Sequence, residues 1–169
     1  MAEVFIIGEI YSAHCNEEGG LACKWNLKLA GGWRVIEGHI EGQSQVDVAS
    51  VFEESYLAHP IDVHLITKTL QGWPQIHLQL WQYDTYGRMQ CAGYGSVFVP
   101  SQAGEHKVEC PIWRPCGGLR ERILHRFVGG SVQLSTDPAI ARVPTVASGT
   151  VKLKLSIVTR NFDRFGIVA

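Results

Sequence analysis

Alternating apolar and polar residues recur in several short runs, and this pattern limits the possible fold more than any other feature of the chain. In LACKWNLKL, every second side chain from Leu21 to Leu29 is apolar, and those between are small or polar. The same period of two returns in IDVHL at 61–65, IHLQL at 76–80 and VKLKLSI at 151–157. A strand with one buried face has this period, so each run predicts a half-buried β-strand.

Clusters of turn-forming residues separate the runs at short intervals. In chain order they read NEEGG, AGG, LQGWP, DTYGR, PSQAGE and ASGT. About eight short strands divided in this way predict an antiparallel β-sandwich. One segment has a helical period instead, since GGLRERILHRFVGG places Leu119, Ile123 and Phe127 four residues apart between glycine pairs. The predicted fold is therefore all-β, with one short helix.

Size, charge and cysteine content narrow the class of protein. The chain has 169 residues, which is about the size of one domain, so residues 1–169 are expected to form a single unit. The formal charge of -1 does not favour nucleic acid as a partner. Five cysteines without a CxxC pair argue against disulfides and a zinc ribbon, and fit a reducing cytosol. No leader or membrane-spanning run is apparent, so a soluble chain with at most peripheral membrane contact is expected.

Residues for catalysis or metal binding do not form a recognisable set. The seven histidines contain no HExxH, and the closest pair, His59 and His64, is expected to face opposite sides of a strand. GQSQV lacks the second glycine of a nucleophile elbow, and there is no phosphate-binding loop. Cys110 and Cys116 are interpreted as small buried hydrophobes. The sequence thus predicts no enzyme, no cofactor and no bound metal.

The turn DTYGR at 84–88 is either a calcium-binding cup or a hairpin. Calcium takes ~6–8 oxygen ligands, and this turn supplies only one of the five aspartates in the chain, Asp84. Asp84 can accept a hydrogen bond from the backbone two residues on, and Gly87 tolerates positive φ, so a hairpin is predicted. Beyond it, Gly93 and Gly95 indicate either a bulge or the close approach of another backbone, which would form a packing or docking face.

Eight segments in order along nearly the whole chain resemble the B9 domain family of ciliary transition-zone proteins. They are CKW at 23–25, EGQSQVD at 41–47, HPID at 59–62, TKTLQGWP at 67–74, WQYDTYGR with AGYG at 81–95, CPIWRP at 110–115, FVGG at 127–130 and RNFDRFG at 160–166. Thr69 is a small departure, because the family pattern there is similar to TKGLQGWP.

The resemblance implies a C2-like β-sandwich without calcium ligands. It also implies a non-enzymatic scaffold subunit of the B9, Meckel syndrome or tectonic-like, complex, located in the cytoplasm and cytoskeleton at the transition zone and basal body. There the chain would dock the other two B9 domain proteins and further members of the complex, which is needed for cilium assembly and gates the entry of membrane proteins.

Two regions supply candidate interface residues. Trp73 and Trp113 are predicted in proline-flanked turns, where a ring anchors a partner or closes the end of the sandwich, and closure is the interpretation that we favour. The segment RNFDRFG either extends as an exposed aromatic and basic tail or folds back, with an arginine paired to Asp163 or a neighbouring carboxylate. Its candidates are Arg160, Phe162, Arg164 and Phe165. Open sheet edges are a third route to a partner.

Lys152 and Lys154 share the outward face of the last predicted strand and motivate an alternative function, a calcium-independent phospholipid-binding module at the ciliary base membrane. Arginines at 120, 122 and 126 on the predicted helix could add to it, although Glu121 dilutes their charge. A solvated polar face is the interpretation that we favour. Docking and lipid binding do not exclude each other.

Overall fold

The computed structural model describes residues 1–16, 19–49, 54–84, 86–115 and 144–162. Within these ranges the chain forms nine strands, all paired antiparallel: β1 (Ala2–Cys15), β2 (Gly20–Lys28), β3 (Arg34–Gly38), β4 (Glu41–Gln43), β5 (Ser55–Thr67), β6 (Gln75–Tyr83), β7 (Met89–Phe98), β8 (Gly104–Pro115) and β9 (Thr145–Arg160). The predicted all-β class is confirmed, with nine strands instead of about eight. The predicted helix, with Leu119, Ile123 and Phe127, lies outside the described residues, and those residues include no helix long and apolar enough to cross a membrane.

The nine strands form one curled sheet in the order β3-β5-β1-β9-β8-β7-β6-β2-β4. We call β3, β5, β1, β9 and β8 the β1 layer, and β7, β6, β2 and β4 the β6 layer. Pairing shrinks to a single residue pair, Tyr94 with Trp113, where β7 meets β8. Strands β2 and β5 are distant in the sheet order, yet the rings of Trp25 and His59 lie 6.3 Å apart. The sheet therefore folds over at the β7–β8 boundary and encloses a core between the two layers.

The alternating runs supply that core. In the runs at 61–65, 76–80 and 151–157 the apolar members are each at most 2% exposed: Ile61, Val63, Leu65, Ile76, Leu78, Leu80, Val151, Leu153, Leu155 and Ile157. Their polar neighbours point outward, as the burial pattern of β6 and β9 shows. Burying a side chain of this size stabilises a fold by roughly 1.5–3 kcal/mol. The period-two prediction is confirmed for these strands.

Two glycines allow the layers to meet at the fold-over. A Cβ atom on Gly93 would lie 2.7 Å from Cγ2 of Ile112 and 2.8 Å from the carbonyl oxygen of Trp113. On Gly95 it would lie 2.7 Å from Sγ of Cys110. All three distances are under 3.0 Å, closer than Cβ atoms in proteins approach other atoms, so glycine is required at both positions. The predicted close approach of another backbone is confirmed, and that backbone is β8.

Two turn predictions are wrong. ASGT lies inside β9, where Gly149 pairs with Cys15, and a Cβ on Gly149 would lie 2.0 Å from the carbonyl oxygen of His14. Its glycine thus serves a close strand contact and not a turn. Trp113 lies inside β8 and not in a proline-flanked turn. Pro111 is tolerated there because β8 is barely paired on its β7 side, where a missing N–H costs no ladder bond.

The segment EGQSQVD ties the two layers together. Ser44 Oγ accepts a hydrogen bond from the backbone N–H of Cys23 on β2 at 2.9 Å. Gln45 Nε2 donates to the carbonyl oxygen of Leu57 on β5 at 2.6 Å, and Asp47 Oδ2 accepts from the N–H of Tyr56 at 2.8 Å. The segment therefore connects β2 to β5, which lie in different layers. EGQSQVD is one of the segments that resemble the B9 family, and these bonds give it a structural role.

Candidate functional site

The turn after β6 is a hairpin built on one carboxylate. Asp84 Oδ1 accepts hydrogen bonds from the backbone N–H groups of Tyr86 at 2.9 Å and Arg88 at 2.8 Å. Its Oδ2 lies 3.2 Å from Nε of Arg88, and Gly87 has a φ of 76°. Both carboxylate oxygens of this side chain contact groups of its own turn. The hairpin prediction is confirmed.

Replacing Asp84 by alanine is expected to lower the free energy of unfolding by about 1–2 kcal/mol, because two backbone N–H groups lose their acceptor. Asp84→Asn keeps Oδ1 and should cost less than half of that. Urea unfolding of both variants measures the difference. If Ca²⁺ raised the melting temperature of the wild type but not that of Asp84→Asn, the turn would be a calcium site and this interpretation would be wrong.

The residues that could perform chemistry are dispersed. Among the described ranges no three His, Cys, Asp or Glu side chains come close enough to hold a metal ion. His59 faces the core beside Trp25, whereas His64 faces outward and stacks on Phe5 at 4.0 Å. The prediction that the two histidines face opposite sides of the strand is confirmed.

The four cysteines that the structure describes are free thiols, and two of them lie deep in the core. Burial raises the pKa of Cys23 to about 12, and nearby Cys110 contributes to the rise. Burial also raises the pKa of Cys110 to about 11. Since the thiolate is the nucleophilic form, these residues are held in their unreactive state. Cys116 lies outside the described residues.

Alkaline pH is expected to destabilise the fold through these two thiols. Their ordinary pKa is 9.0 and their folded pKa is higher, so unfolding releases protons above about pH 9. Each thiol contributes stability that is complete below its unfolded pKa and falls by up to about 1.4 kcal/mol per pH unit as the pH rises toward its folded pKa. Urea unfolding at about pH 7 and about pH 10 should show a smaller loss for Cys23→Ala with Cys110→Ala than for the wild type. An equal loss in both proteins would contradict the assignment.

Trp73 closes one end of the sandwich. Its Nε1 donates a hydrogen bond to the carbonyl oxygen of Val99 at 2.7 Å, and its ring meets Trp33 edge-on at 5.2 Å. The ring of Phe162 lies 6.4 Å from it, and Phe162 is only 4% exposed. These contacts support the closure interpretation for Trp73.

The described part of RNFDRFG folds back onto the sandwich. Phe162 is buried in the core, and Nη1 of the exposed Arg160 lies 3.9 Å from Oε2 of Glu3 on β1. Phe162 is therefore not available to a partner in this conformation, and Arg160 pairs with a carboxylate as the fold-back alternative requires. Arg164 and Phe165 lie outside the described residues.

The two lysines proposed to face lipid are already paired. Lys152 Nζ donates to Oε1 of Glu54, which raises the pKa of the lysine and lowers that of the glutamate, and Ser12 also donates to Glu54 at 2.6 Å. Lys154 Nζ lies 3.6 Å from Oε1 of Glu9 and 3.2 Å from the centre of the Tyr11 ring. Their positive charge is thus largely compensated within the chain.

Acidic residues outnumber basic ones on the outer face of the β1 layer. Strands β5, β1, β9 and β8, with Glu54 beside them, present six carboxylates: Glu3, Glu9, Glu54, Asp62, Glu105 and Glu109. The same surface presents four cations: Lys107, Lys152, Lys154 and Arg160. The net charge is −2, which does not favour anionic lipid on this face.

The outer face of the β6 layer is different, because it carries a groove lined by two lysines and one glutamate. The groove has a volume of about 360 Å³ and is lined by Lys24, Lys28, Glu41, His77, Tyr94 and Trp113, among others. Trp113 packs on Tyr94 with ring centres 5.9 Å apart. Within the part of the chain that the structure describes, neither lysine forms a salt bridge. Burial lowers the pKa of His77, and nearby Lys28 lowers it further.

This groove was not predicted from the sequence. The alternation in β2 predicts that Lys24 and Lys28 face outward. The groove, however, also needs β6, β7 and β8, and their positions beside β2 depend on strand pairing that the local sequence does not determine. Lys24 faces Gln79 of β6, Gln79 faces Tyr94 of β7, and Tyr94 faces Trp113 of β8.

The sheet edges offer a less suitable contact. Strand β3 is an edge strand with every residue exposed, and Ile36 is 56% exposed. Its register shifts between Val35 and Glu37, so a bulge interrupts the row of backbone groups that a new strand would need. Bulges of this kind protect an edge from pairing.

Comparison with known proteins identifies the family of the chain. Residues 4–158 match the model of the B9-C2 family, described as "Ciliary basal body-associated, B9 protein". The chain is 46% identical to B9 domain-containing protein 2 of Bos taurus, with 99% of both chains covered. It is 31% identical to B9 domain-containing protein 1 of Mus musculus, covering 96% of this chain and 84% of that one. Among solved structures, the C2A domain of plant Extended Synaptotagmin 1 matches with a TM-score of 0.46 and 7% identity, covering 91% of this chain and 92% of that chain.

The fold is a curled antiparallel β-sandwich. The chain belongs to the B9-C2 family, and the resemblance found in its sequence segments is confirmed.

Proposed function

We propose that this chain is a non-enzymatic scaffold subunit of the B9, Meckel syndrome or tectonic-like, complex at the ciliary transition zone. It acts by docking the other B9 domain proteins, and the complex supports cilium assembly and gates the entry of membrane proteins. The observation that carries the proposal is the match of residues 4–158 to a family described as ciliary basal body-associated.

The chemistry of the side chains supports a non-enzymatic role. The two core thiols are held protonated by burial, and Asp84 is fully engaged in its own turn. Catalysis needs a nucleophile, a base and an orienting group within hydrogen-bond reach of each other. Among the described residues, Cys23 and Cys110 instead serve packing and Asp84 serves a local turn.

The surface supports a docking role. The outer face of the β1 layer is net acidic with paired lysines, whereas the groove on the outer face of the β6 layer has aromatic side chains and two lysines that form no salt bridge with any described residue. Aromatic residues beside a cavity are typical of protein interfaces. A relative named B9 domain-containing protein 1 shares this family, and we infer that a protein of that kind is a docking partner.

The test is depletion and rescue in ciliated cells of the source organism. A tagged chain is expected at the cilium base, and its removal should reduce the fraction of ciliated cells and alter the membrane proteins that enter cilia. Rescue by a Cys91→Ala, His106→Gln variant should equal rescue by the wild type, because neither residue has a catalytic role. An even cytoplasmic distribution of the tagged chain, with normal cilia after its removal, would contradict the proposal. If the variant failed to rescue while the wild type succeeded, a catalytic role of Cys91 or His106 would be indicated.

A further inference from the structure

We propose that the groove on the outer face of the β6 layer binds an extended acidic segment of the B9 partner. This inference rests on the proposed function and assigns it a surface. The groove is defined by Lys24 and Lys28 on β2, Glu41 on β4, His77 on β6, Tyr94 on β7 and Trp113 on β8.

Charge is the first argument. Lys24 and Lys28 are exposed and form no salt bridge with any described residue, although Glu41 lines the same groove. By contrast, Lys152 and Lys154 on the opposite face each contact a glutamate. Two unpaired cations at a concave surface favour an anionic partner, and low-dielectric walls strengthen that attraction.

Spacing is the second argument. Lys24 and Lys28 are four residues apart on one strand, which places their backbones about 13 Å apart. An extended chain with acidic residues four apart has the same repeat, so that each carboxylate meets one lysine. Asn26 lies between the lysines on the same face, and His77 and Gln79 also line the groove, so polar groups are available to the backbone of such a segment.

The aromatic end of the groove is the third argument. Tyr94 is 7% exposed and packs against the half-buried ring of Trp113, so Tyr94 supports the Trp113 ring at this end of the groove. A rigid ring loses little entropy on binding and serves as an anchor for an apolar side chain of the partner. A groove receives a chain more readily than a broad membrane surface, and the observations therefore favour a peptide segment over lipid.

Cross-linking tests the contact directly. The chain is co-expressed with B9 domain-containing protein 1 of the same organism, and the purified complex is treated with a carbodiimide, which joins lysine amines to carboxylates in contact. We expect Lys24 and Lys28 to link to carboxylates of the partner. Lys152 and Lys154 should link within the chain, to Glu54 and Glu9, and so serve as internal controls.

Charge reversal tests the energetics. Lys24→Glu with Lys28→Glu is expected to weaken capture of the partner about tenfold or more, since both ion contacts become repulsive. Lys68→Glu with Lys107→Glu changes the net charge by the same amount at exposed positions away from the groove and should alter capture less than about threefold. The melting temperatures of the two double variants are measured as well. If they are equal, a difference in capture reflects binding and not stability.

The outcomes separate the two proposals. If the wild-type chain forms no complex, the docking function is wrong, and so is the inference that the groove binds a segment of the partner. If the complex forms, but the groove variant is captured like the wild type and Lys24 and Lys28 give no partner cross-links, the groove inference is overturned while docking stands. The last measurement is sedimentation of the chain with phosphatidylcholine vesicles that contain phosphatidylinositol bisphosphate. Binding that is lost only in the groove variant, with the complex intact, would make the groove a lipid site and overturn the peptide assignment.

Discussion

Replacing Gly93 with valine is expected to destabilise the fold by about 3 kcal/mol or more, because the new side chain has no space. Its Cβ alone would lie 2.7 Å from Ile112 and 2.8 Å from the backbone oxygen of Trp113. Ile112 is fully buried, and the carbonyl belongs to the backbone of β8, so moving either neighbour would disturb core packing or strand pairing. For a chain of this size the melting temperature should fall by about 6–12 °C.

Thermal unfolding followed by circular dichroism measures this effect. Ser96→Val is the matched control, since Ser96 is exposed on the same strand and the added methyl groups point to solvent. That control should stay within about 0.5 kcal/mol of the wild type. A Gly93→Val protein with an unchanged melting temperature would mean that β7 and β8 do not meet as closely as the structure shows.

Replacing Phe162 with alanine is expected to lower the free energy of unfolding by about 3 kcal/mol, because a buried aromatic ring leaves a cavity. Phe162 is 4% exposed and meets the ring of Trp73, which in turn contacts Trp33. The ring therefore fixes the end of β9 to the closed end of the sandwich.

Val158→Ala is the control for this change, because Val158 is 49% exposed on β9 and its truncation should cost less than about 0.5 kcal/mol. Urea unfolding and partner capture are measured on both variants. If Phe162→Ala kept full stability but lost the partner, the ring would belong to an exposed tail, and the fold-back conformation would be wrong.

The features that were predictable from sequence depend on neighbours along the chain. The alternation in β2, β6 and β9 reports directly which side chains face the core. Asp84 bonds groups two and four residues away, so the turn chemistry of DTYGR was sufficient to predict a hairpin. Gly93 and Gly95 indicated a close approach, although not the strand that makes it.

The features that were missed depend on long-range pairing. Glu54 neutralises Lys152 across 98 positions of sequence, so the exposed lysines of β9 could not be recognised as paired. Prolines beside Trp113 suggested a turn, but pairing of β8 with β9 along its length keeps that segment extended. The groove near Trp113 needs the register of four strands, none of which the local pattern determines.

The central claim is that this chain docks another B9 domain, and the most direct test is the mass of a purified complex. The chain is co-expressed with B9 domain-containing protein 1 and captured by a tag in about 0.15 M salt, where the Debye length is about 8 Å and close ion contacts such as those proposed for the groove persist. Light scattering after gel filtration should give a stoichiometric complex. A folded chain that elutes alone at its monomer mass would contradict the claim.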